Sequence, residues 1–478
     1  MPYQLYINGQ WTDAAGGGTL DVLNPATGDP VASCAYGDVA DATAAIGAAA
    51  AAFADWRAMT AYERAGFLHK AAELVRQRVP DIARALTLEN GKPLAEATGE
   101  ARGCAGWLDW FAEEGKRVYG RMIPSQFGHK RHWVLRQPVG VVVAVNAWNF
   151  PINLMSRKLG AALAAGCSLV CRPATQAPLS AMLIYECLHD AGFPPGSVGL
   201  VTGPADKIVP AMLAHRACRK LAFTGSTEVG RELMVQAGQR ITKLSLELGG
   251  HAPLIVFPDV HIPDAVEQTV IGKFRNAGQS CIAATRVYVH QDVFDAFRTA
   301  LLERTEKIVV GNGLDDGVEM GPLFDAQQLT RAEAFVADAV AKGAEVLTGG
   351  RRLTGGAYDA GSFFAPTVLT KITADMRLAR EEIFAPVLPL IPFEREDDVI
   401  AAANDTEYGL AGYVLVRDFA TAIRVCESLD CGVVGLNDTV PTVPQAPFGG
   451  WKESGIGREG GYEGIDAYME TKYISVGL

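Results

Sequence analysis

The sequence predicts an α/β protein of more than one domain, with a doubly wound parallel sheet in its first half. Three observations predict it. The chain has 478 residues, too many for one hydrophobic core. Unbroken β-branched runs such as "VGVVVAVNAW" read as strands buried on both faces. Strands and helical patterns then alternate repeatedly, which implies parallel strands joined by crossover helices.

The elements follow in order. Residues 41–116 are alanine-rich with apolar residues at helical spacing, and predict several amphipathic helices. From 139 the β-branched run begins. A helix over 153–166 follows, then the strand "SLVCR", a helix over 178–191, the strand "VGLVTG", a helix near 205–214, the strand "KLAFTG", a helix over 226–238 and the strand "TKLSLEL". A second series starts at "APLIVF" and continues through "TRVYVH", "EVLTGG" and "GYVLVR", with helices between, as a second α/β domain. The boundary falls near 247–250. "HWVLRQPVG" and "YMETKYISVGL" are expected as strands outside both cores.

Composition excludes several classes of function. Apolar residues make up 49% and charged residues 20%, as in an ordinary globular protein. A net charge of -11 without a basic cluster argues against nucleic acid as a partner. The start "MPYQLYINGQW" lacks the pattern of a secretory signal, and the most apolar stretch is too short to span a bilayer. No membrane association and a cytoplasmic location are expected. The nine cysteines are odd in number and contain no CxxC pair, and the eight histidines form no HExxH. Neither a disulfide framework nor a metal site is expected.

Ligands of open α/β sheets bind beyond the carboxyl ends of the strands, so those ends are where chemistry is sought. "NAWNFP" ends the first strand. Its Asn149 carboxamide could donate to a developing oxyanion, or simply serve a turn. "CRPATQ" ends the second, with Arg172 where a dinucleotide fold reads ribose hydroxyls or a 2′-phosphate. "FTGSTEVG" ends the fourth, and Gly225 and Gly230 flank a helix start that favours phosphate, or a tight strand-to-helix turn. "SLELGGHAP" places Glu247 at a further strand end as a general base or a surface carboxylate. In "KFRNAGQSCIAATR", Cys281 follows small and polar residues, a context that suits a thiol to be reached rather than one packed in an apolar run. A nucleophile, an amide donor and a carboxylate on a dinucleotide fold together make a thiol-based oxidation apparatus.

"WNFP", "FTGST", "LELGG", "FRNAGQSC", "EEIFAPV" and "APFGGWKESGIGREG" occur in order over nearly the whole chain, and in this the sequence resembles the aldehyde dehydrogenase superfamily. Within it, the chain looks most like the succinate-, glutarate- and 2-oxoglutarate-semialdehyde dehydrogenases. The resemblance implies a Rossmann-type NAD(P)-binding domain (1–120 and 139–247), an α/β catalytic domain (248–447) and oligomerisation segments (121–138 and 464–478), assembled as a homodimer or homotetramer. It implies Cys281 as nucleophile, Glu247 as general base, Asn149 as oxyanion donor beside the Cys281 N–H, and Glu459 as a proton-relay carboxylate. Implied cofactor contacts are Ala147, Trp148, Arg172, Thr175, Gly225, Ser226, Leu248, Glu382 and Phe384.

Substrate selection is implied to rest on Arg157, Arg275 and Thr442, the arginines as a clamp for a distal carboxylate, because a guanidinium fork can hold both carboxylate oxygens. The expected reaction is NAD(P)-dependent oxidation of a small carboxylate-bearing semialdehyde. Oxidation of general aliphatic or aromatic aldehydes and a non-redox cysteine hydrolase or acyl transferase are the alternatives. Departures from the family pattern matter. Arg172 and Thr175 replace a common Lys and Glu, so NADP is expected to be accepted or preferred. Ala283 stands where succinate-semialdehyde enzymes often carry a second cysteine. The loop before "APFGG" offers Thr439 and Thr442 but no serine.

Overall fold

The computed structural model describes residues 3–478. Four helices come early: Val39–Ala58, Ala61–Gln77, Val79–Asn90 and Leu94–Glu114. Capping boxes start the first two, Asp38 with Asp41 and Thr60 with Glu63. Each satisfies backbone N–H groups that a helix start leaves open. Their alanines allow close packing; the last three cover one face of the first sheet in one apolar core, while Val39–Ala58 sends Ala42, Ala45, Ile46 and Ala49 into the core on its other face.

That first sheet has eight strands. Its middle five are parallel, in the spatial order Val198–Leu200, Leu169–Arg172, Val141–Val145, Cys218–Thr224, Lys243–Glu247. The order reverses between Val141–Val145 and Cys218–Thr224. Loops leaving those two strands diverge to opposite faces, and the crevice between them is the expected ligand position. The β-branched run ends as a strand at Val145, not at Trp148. Helix Pro151–Ala165 begins two residues earlier than the apolar spacing predicts, because Pro151 occupies the first helical position, where a missing N–H costs nothing.

Ala252–Val256, Ala284–His290, Glu345–Thr348 and Ala411–Leu415 form, with three further strands, a seven-stranded sheet over its own core. The extended segments expected outside both cores are Lys130–Pro138 and Met469–Gly477, paired antiparallel from Met469↔Pro138 to Gly477↔Lys130, with Arg121–Ile123 beside them. Three short strands escape the sequence pattern. Leu5–Ile7 joins the first sheet antiparallel to Val198–Leu200, Gln10–Thr12 pairs outside it as that edge, and Gly455–Ile456 closes the other edge against Lys243–Glu247. Among the described residues no helix is long and apolar enough to cross a membrane.

Candidate active site

The crevice at the strand reversal opens into one continuous groove. A cleft of about 550 Å³ passes Arg172, Thr175, Pro210 and Leu233. A narrower one of about 170 Å³ holds Asn149, Leu248, Cys281, Glu382 and Phe384. Ala147, Trp148, Thr224, Gly225 and Ser226 line both. All nine residues expected to contact the cofactor therefore lie along this groove, as do Cys281 and Asn149.

Local packing explains the wide end. Gly225 sits where Cys218–Thr224 turns into helix Thr227–Gly238, and a Cβ there would come within 2.3 Å of the Phe223 ring. Ser226 caps that helix, its Oγ accepting from the Val229 N–H at 3.3 Å. The remaining N–H groups of the first turn favour an anion. Arg172 is buried, with its guanidinium donating to Thr175 Oγ1 and, at 3.1 Å, to the Gly203 carbonyl. Its Nε and the Oδ1 of Asn146 are buried without partners. Orphaned polar atoms beside a helix start suit a ribose and phosphates, so the groove fits a dinucleotide.

At the narrow end Trp148 stacks on Phe324 at 4.2 Å and 12° and meets the edge of Phe384 at 5.5 Å. Glu382 accepts from the Gly250 N–H at 3.0 Å, and burial pushes its carboxyl up to about 7. Cys281 is half-buried on the groove wall. Gly250 makes this placement possible, because any Cβ there would lie 2.1 Å from the Cys281 carbonyl oxygen. Ahead of the thiol, Asn276, Ala277 and Gly278 are all left-handed, at φ 50°, 54° and 72°. Two of these are non-glycine residues in a costly conformation, held by surrounding contacts. Burial, then the Glu382 and Glu247 carboxylates, pushes the Cys281 thiol up to about 12 against the pull of Arg157.

Asn149 is buried, its Nδ2 donating to the Gln279 carbonyl at 3.2 Å and its Oδ1 unpartnered. Glu247, open in the sequence between base and surface residue, is 4% exposed, with Oε2 unpartnered. Gly449 leaves room for it, since a Cβ there would be 2.7 Å from Oε1. Burial and the neighbouring Glu459 hold the Glu247 carboxyl well above the usual range, opposed by Lys158, Arg157 and Arg458. Glu459 itself is buried, bonded to Lys158 Nζ at 2.8 Å and facing Arg157 at 3.5 Å.

The three residues expected to select the substrate differ. Arg275 is half-buried over the Phe150 ring at 5.2 Å and makes no hydrogen bond or ion pair with another described residue. Arg157 is buried between the Trp107 and Phe448 rings, at 4.8 and 4.6 Å; its Nε donates to Asn153, and its Nη1 lies 3.5 Å from Glu459 without a hydrogen-bond partner. Thr442 is half-buried in the 437–450 loop, outside both clefts, without a side-chain hydrogen bond. Thr439 is spent on Gln268.

Sequence reasoning missed Lys158, which donates to Glu459 and to Thr224 Oγ1 at 2.5 Å. A signal existed: it lies within an almost wholly apolar helix, where a lysine must find a buried partner. It also missed Lys92 and Glu100, a fully buried ion pair at 2.6 Å beneath Asn149.

Comparison with known proteins adds independent findings. A model described as the aldehyde dehydrogenase family matches residues 11–474. The NADP(+) succinate-semialdehyde dehydrogenase GabD of Escherichia coli K12 is 47% identical over 475 residues, 99% of this chain and 98% of that protein. A glutarate-semialdehyde dehydrogenase of Pseudomonas putida KT2440 is 46% identical over 475 residues, again 99% and 98%. The crystal structure of an NADP-dependent E. coli enzyme superposes with a TM-score of 0.98 at 47% identity, covering 100% of this chain and 98% of that one.

Proposed function

The chain belongs to the aldehyde dehydrogenase family and is an NAD(P)-dependent oxidoreductase, and from that premise we propose that its substrate is a small semialdehyde with a distal carboxylate, such as succinate or glutarate semialdehyde. The observation that carries the reading is the groove that unites Cys281 and Asn149 with Glu382 and Phe384. The partnerless guanidinium of Arg275 and the names of the two relatives support the substrate class.

In this reading Cys281 attacks the aldehyde carbonyl and forms a thiohemiacetal oxyanion. Asn149 Nδ2 and the Cys281 N–H stabilise that charge, each donor contributing about 3 kcal/mol. A bound nicotinamide would supply the hydride acceptor, and Glu382, Phe384, Trp148 and the helix start at Ser226 are the groups that would hold the cofactor. Dividing the reaction between a covalent thioester and its hydrolysis replaces one difficult step by two easier ones. Glu247 activates the hydrolytic water, and Glu459 with Lys158 takes the proton onward. Arg172 and Thr175 offer a 2′-phosphate a cation and no repelling carboxylate, so NADP is accepted or preferred.

The division into a cofactor part (1–120 and 139–247), a catalytic part (248–447) and oligomerisation segments (121–138 and 464–478) belongs to the same proposal, as does a cytoplasmic homodimer or homotetramer. Exposed Met122, Trp133, Leu135 and Tyr473 on the three-stranded sheet support an interface there. A panel of C2 to C6 aldehydes, with and without a terminal carboxylate and with NAD and NADP, tests the substrate. Acid-bearing aldehydes are expected to lead by ten- to a hundredfold in kcat/KM, the worth of one charge-assisted hydrogen bond. Equal rates would overturn the acid preference and favour general aldehyde oxidation, the second reading, which the engagement of Arg157 by Glu459 favours.

A further inference from the structure

The segment 90–100 carries more charge than its burial alone would favour, and it touches both lips of the narrow cleft. Asn90 Nδ2 donates to the Trp148 carbonyl at 2.8 Å. Lys92 Nζ donates to the Asn149 carbonyl at 2.7 Å and to Glu100 Oε2 at 2.6 Å. Glu100 Oε1 accepts from the N–H groups of Ile152 and Asn153, at 3.2 and 3.1 Å. Helix Pro151–Ala165 has no cap from Phe150, so Glu100 supplies one from another helix. On the opposite lip, Glu96 accepts from the Asn276 N–H at 3.0 Å, and Asn276 Nδ2 returns to the Asn149 carbonyl at 3.0 Å. Lys92 and Glu100 are 1% and 2% exposed.

A buried ion pair contributes little net stability, because desolvation consumes most of the attraction. The other bond of Lys92 is different. It puts a charge-assisted hydrogen bond on the main chain of Asn149, four bonds from the amide that faces the reacting oxygen. The ammonium also lies 4.1 Å over the Phe150 ring, so the whole turn between Trp148 and Pro151 is gripped from one side. The glycines opposite keep the grip tight: a Cβ on Gly313 would lie 2.4 Å from the Lys92 carbonyl oxygen.

We propose that Lys92, locked by Glu100, is the positioning residue of the oxyanion site: its ammonium fixes the Asn149 main chain so that the Asn149 carboxamide meets the aldehyde oxygen. The inference rests on the reading of Asn149 as the oxyanion donor. Oxyanion donors act only when pre-aligned, and misplacement by about 1 Å costs on the order of a hundredfold.

A double-mutant cycle on the full chain tests it, with NADP+ and the best aldehyde of the panel. Asn149→Ala alone is expected to lower kcat by about a hundred- to a thousandfold. Lys92→Met is expected to lower kcat about ten- to a hundredfold, with the dissociation constant for NADP+ unchanged. Lys92→Met/Asn149→Ala is then expected to be no slower than Asn149→Ala, since Lys92 acts only through that residue. Wild-type kcat in Lys92→Met, or losses that multiply in the double variant, would overturn the inference while leaving the donor role intact. Full activity in Asn149→Ala would overturn the donor role and the inference with it. If Lys92→Met does not fold because Glu100 is left unpaired, Lys92→Met/Glu100→Gln takes its place with the same outcomes. Failure of both to fold would make the pair a strut and overturn the proposal.

Discussion

Cys281 is expected to be nearly inert toward alkylation before the cofactor binds. Burial and the Glu382 and Glu247 carboxylates push its thiol up to about 12. At pH 8 about one thiol in 10⁴ is then ionised, against roughly a quarter for a free thiol with a pKa of about 8.5. Ionisation alone slows reaction by about 2,400-fold. A more basic thiolate is also more nucleophilic, and with a Brønsted slope of about 0.45 it recovers roughly fortyfold. The net expectation is alkylation roughly sixtyfold slower than that of a small free thiol. The assay is the pseudo-first-order reaction with iodoacetamide, read by mass spectrometry of the peptide containing Cys281. The logarithm of the rate should rise with unit slope from pH 7 past pH 10. Saturating NADP+ should accelerate it, because the positive nicotinamide ring offsets the two carboxylates. An apoenzyme rate within threefold of the free thiol, flat below pH 8, would refute the argument and place a preformed thiolate in the groove.

Glu247→Gln should still release a stoichiometric burst of reduced cofactor but slow the steady state, and a single unchanged phase would show that Glu247 does not activate water. Because burial and Glu459 hold its carboxyl well above the usual range, hydrolysis should speed up as pH rises, and a pH-independent steady state would contradict that. Arg275→Ala should raise KM about ten- to a hundredfold for acid-bearing aldehydes only. Arg157→Ala should instead lower the Tm and slow every aldehyde, since it leaves Glu459 short of a partner and opens the space between Trp107 and Phe448; the substrate panel with melting curves separates the two. Lys273 is buried without a hydrogen-bond partner and pushed down to about 7 by that burial. The unfolded chain binds its proton up to about pH 10.5 and the folded chain only to about 7, so this group makes stability rise with pH across that window, by at most about 5 kcal/mol. Lys273→Met should remove that rise in chemical denaturation curves at pH 7 and 9.5.

The strand ends were legible because a fully buried parallel strand announces itself as a β-branched run, and its termination fixes where the ligand lies. Asn149, Arg172, Gly225 and Glu247 all stand at such ends. Cys281 was legible from its polar approach and from the family motif around it. The short strands Leu5–Ile7 and Gly455–Ile456 were not, being too short to show a period and joined to the sheet by partners distant in sequence. Lys92, Glu100 and Lys158 escaped for a related reason. A charged residue reads by default as solvated: nothing local marks the burial of Lys92, in the turn before helix Leu94–Glu114, or of Glu100 on it, whereas the apolar helix around Lys158 did carry a signal. Arg157 looked like Arg275 in sequence, yet one is buried beside Glu459 and the other half-buried without a hydrogen bond.

Gly455–Ile456 and Met469–Gly477 have a bearing on synthesis. One closes the sheet that begins at Leu5, and the other pairs residue for residue with Lys130–Pro138. The stretch between them carries Glu459, which faces the lysine and arginine of a helix some three hundred residues earlier. A nascent chain that has passed residue 400 still lacks an edge of its first sheet and the counter-ion of Lys158, while Lys130–Pro138 is without its partner strand. Such long-range closure is slow, and half-made chains of this kind are prone to stick to one another. Premature termination anywhere before this stretch should therefore yield aggregates rather than a partly active enzyme.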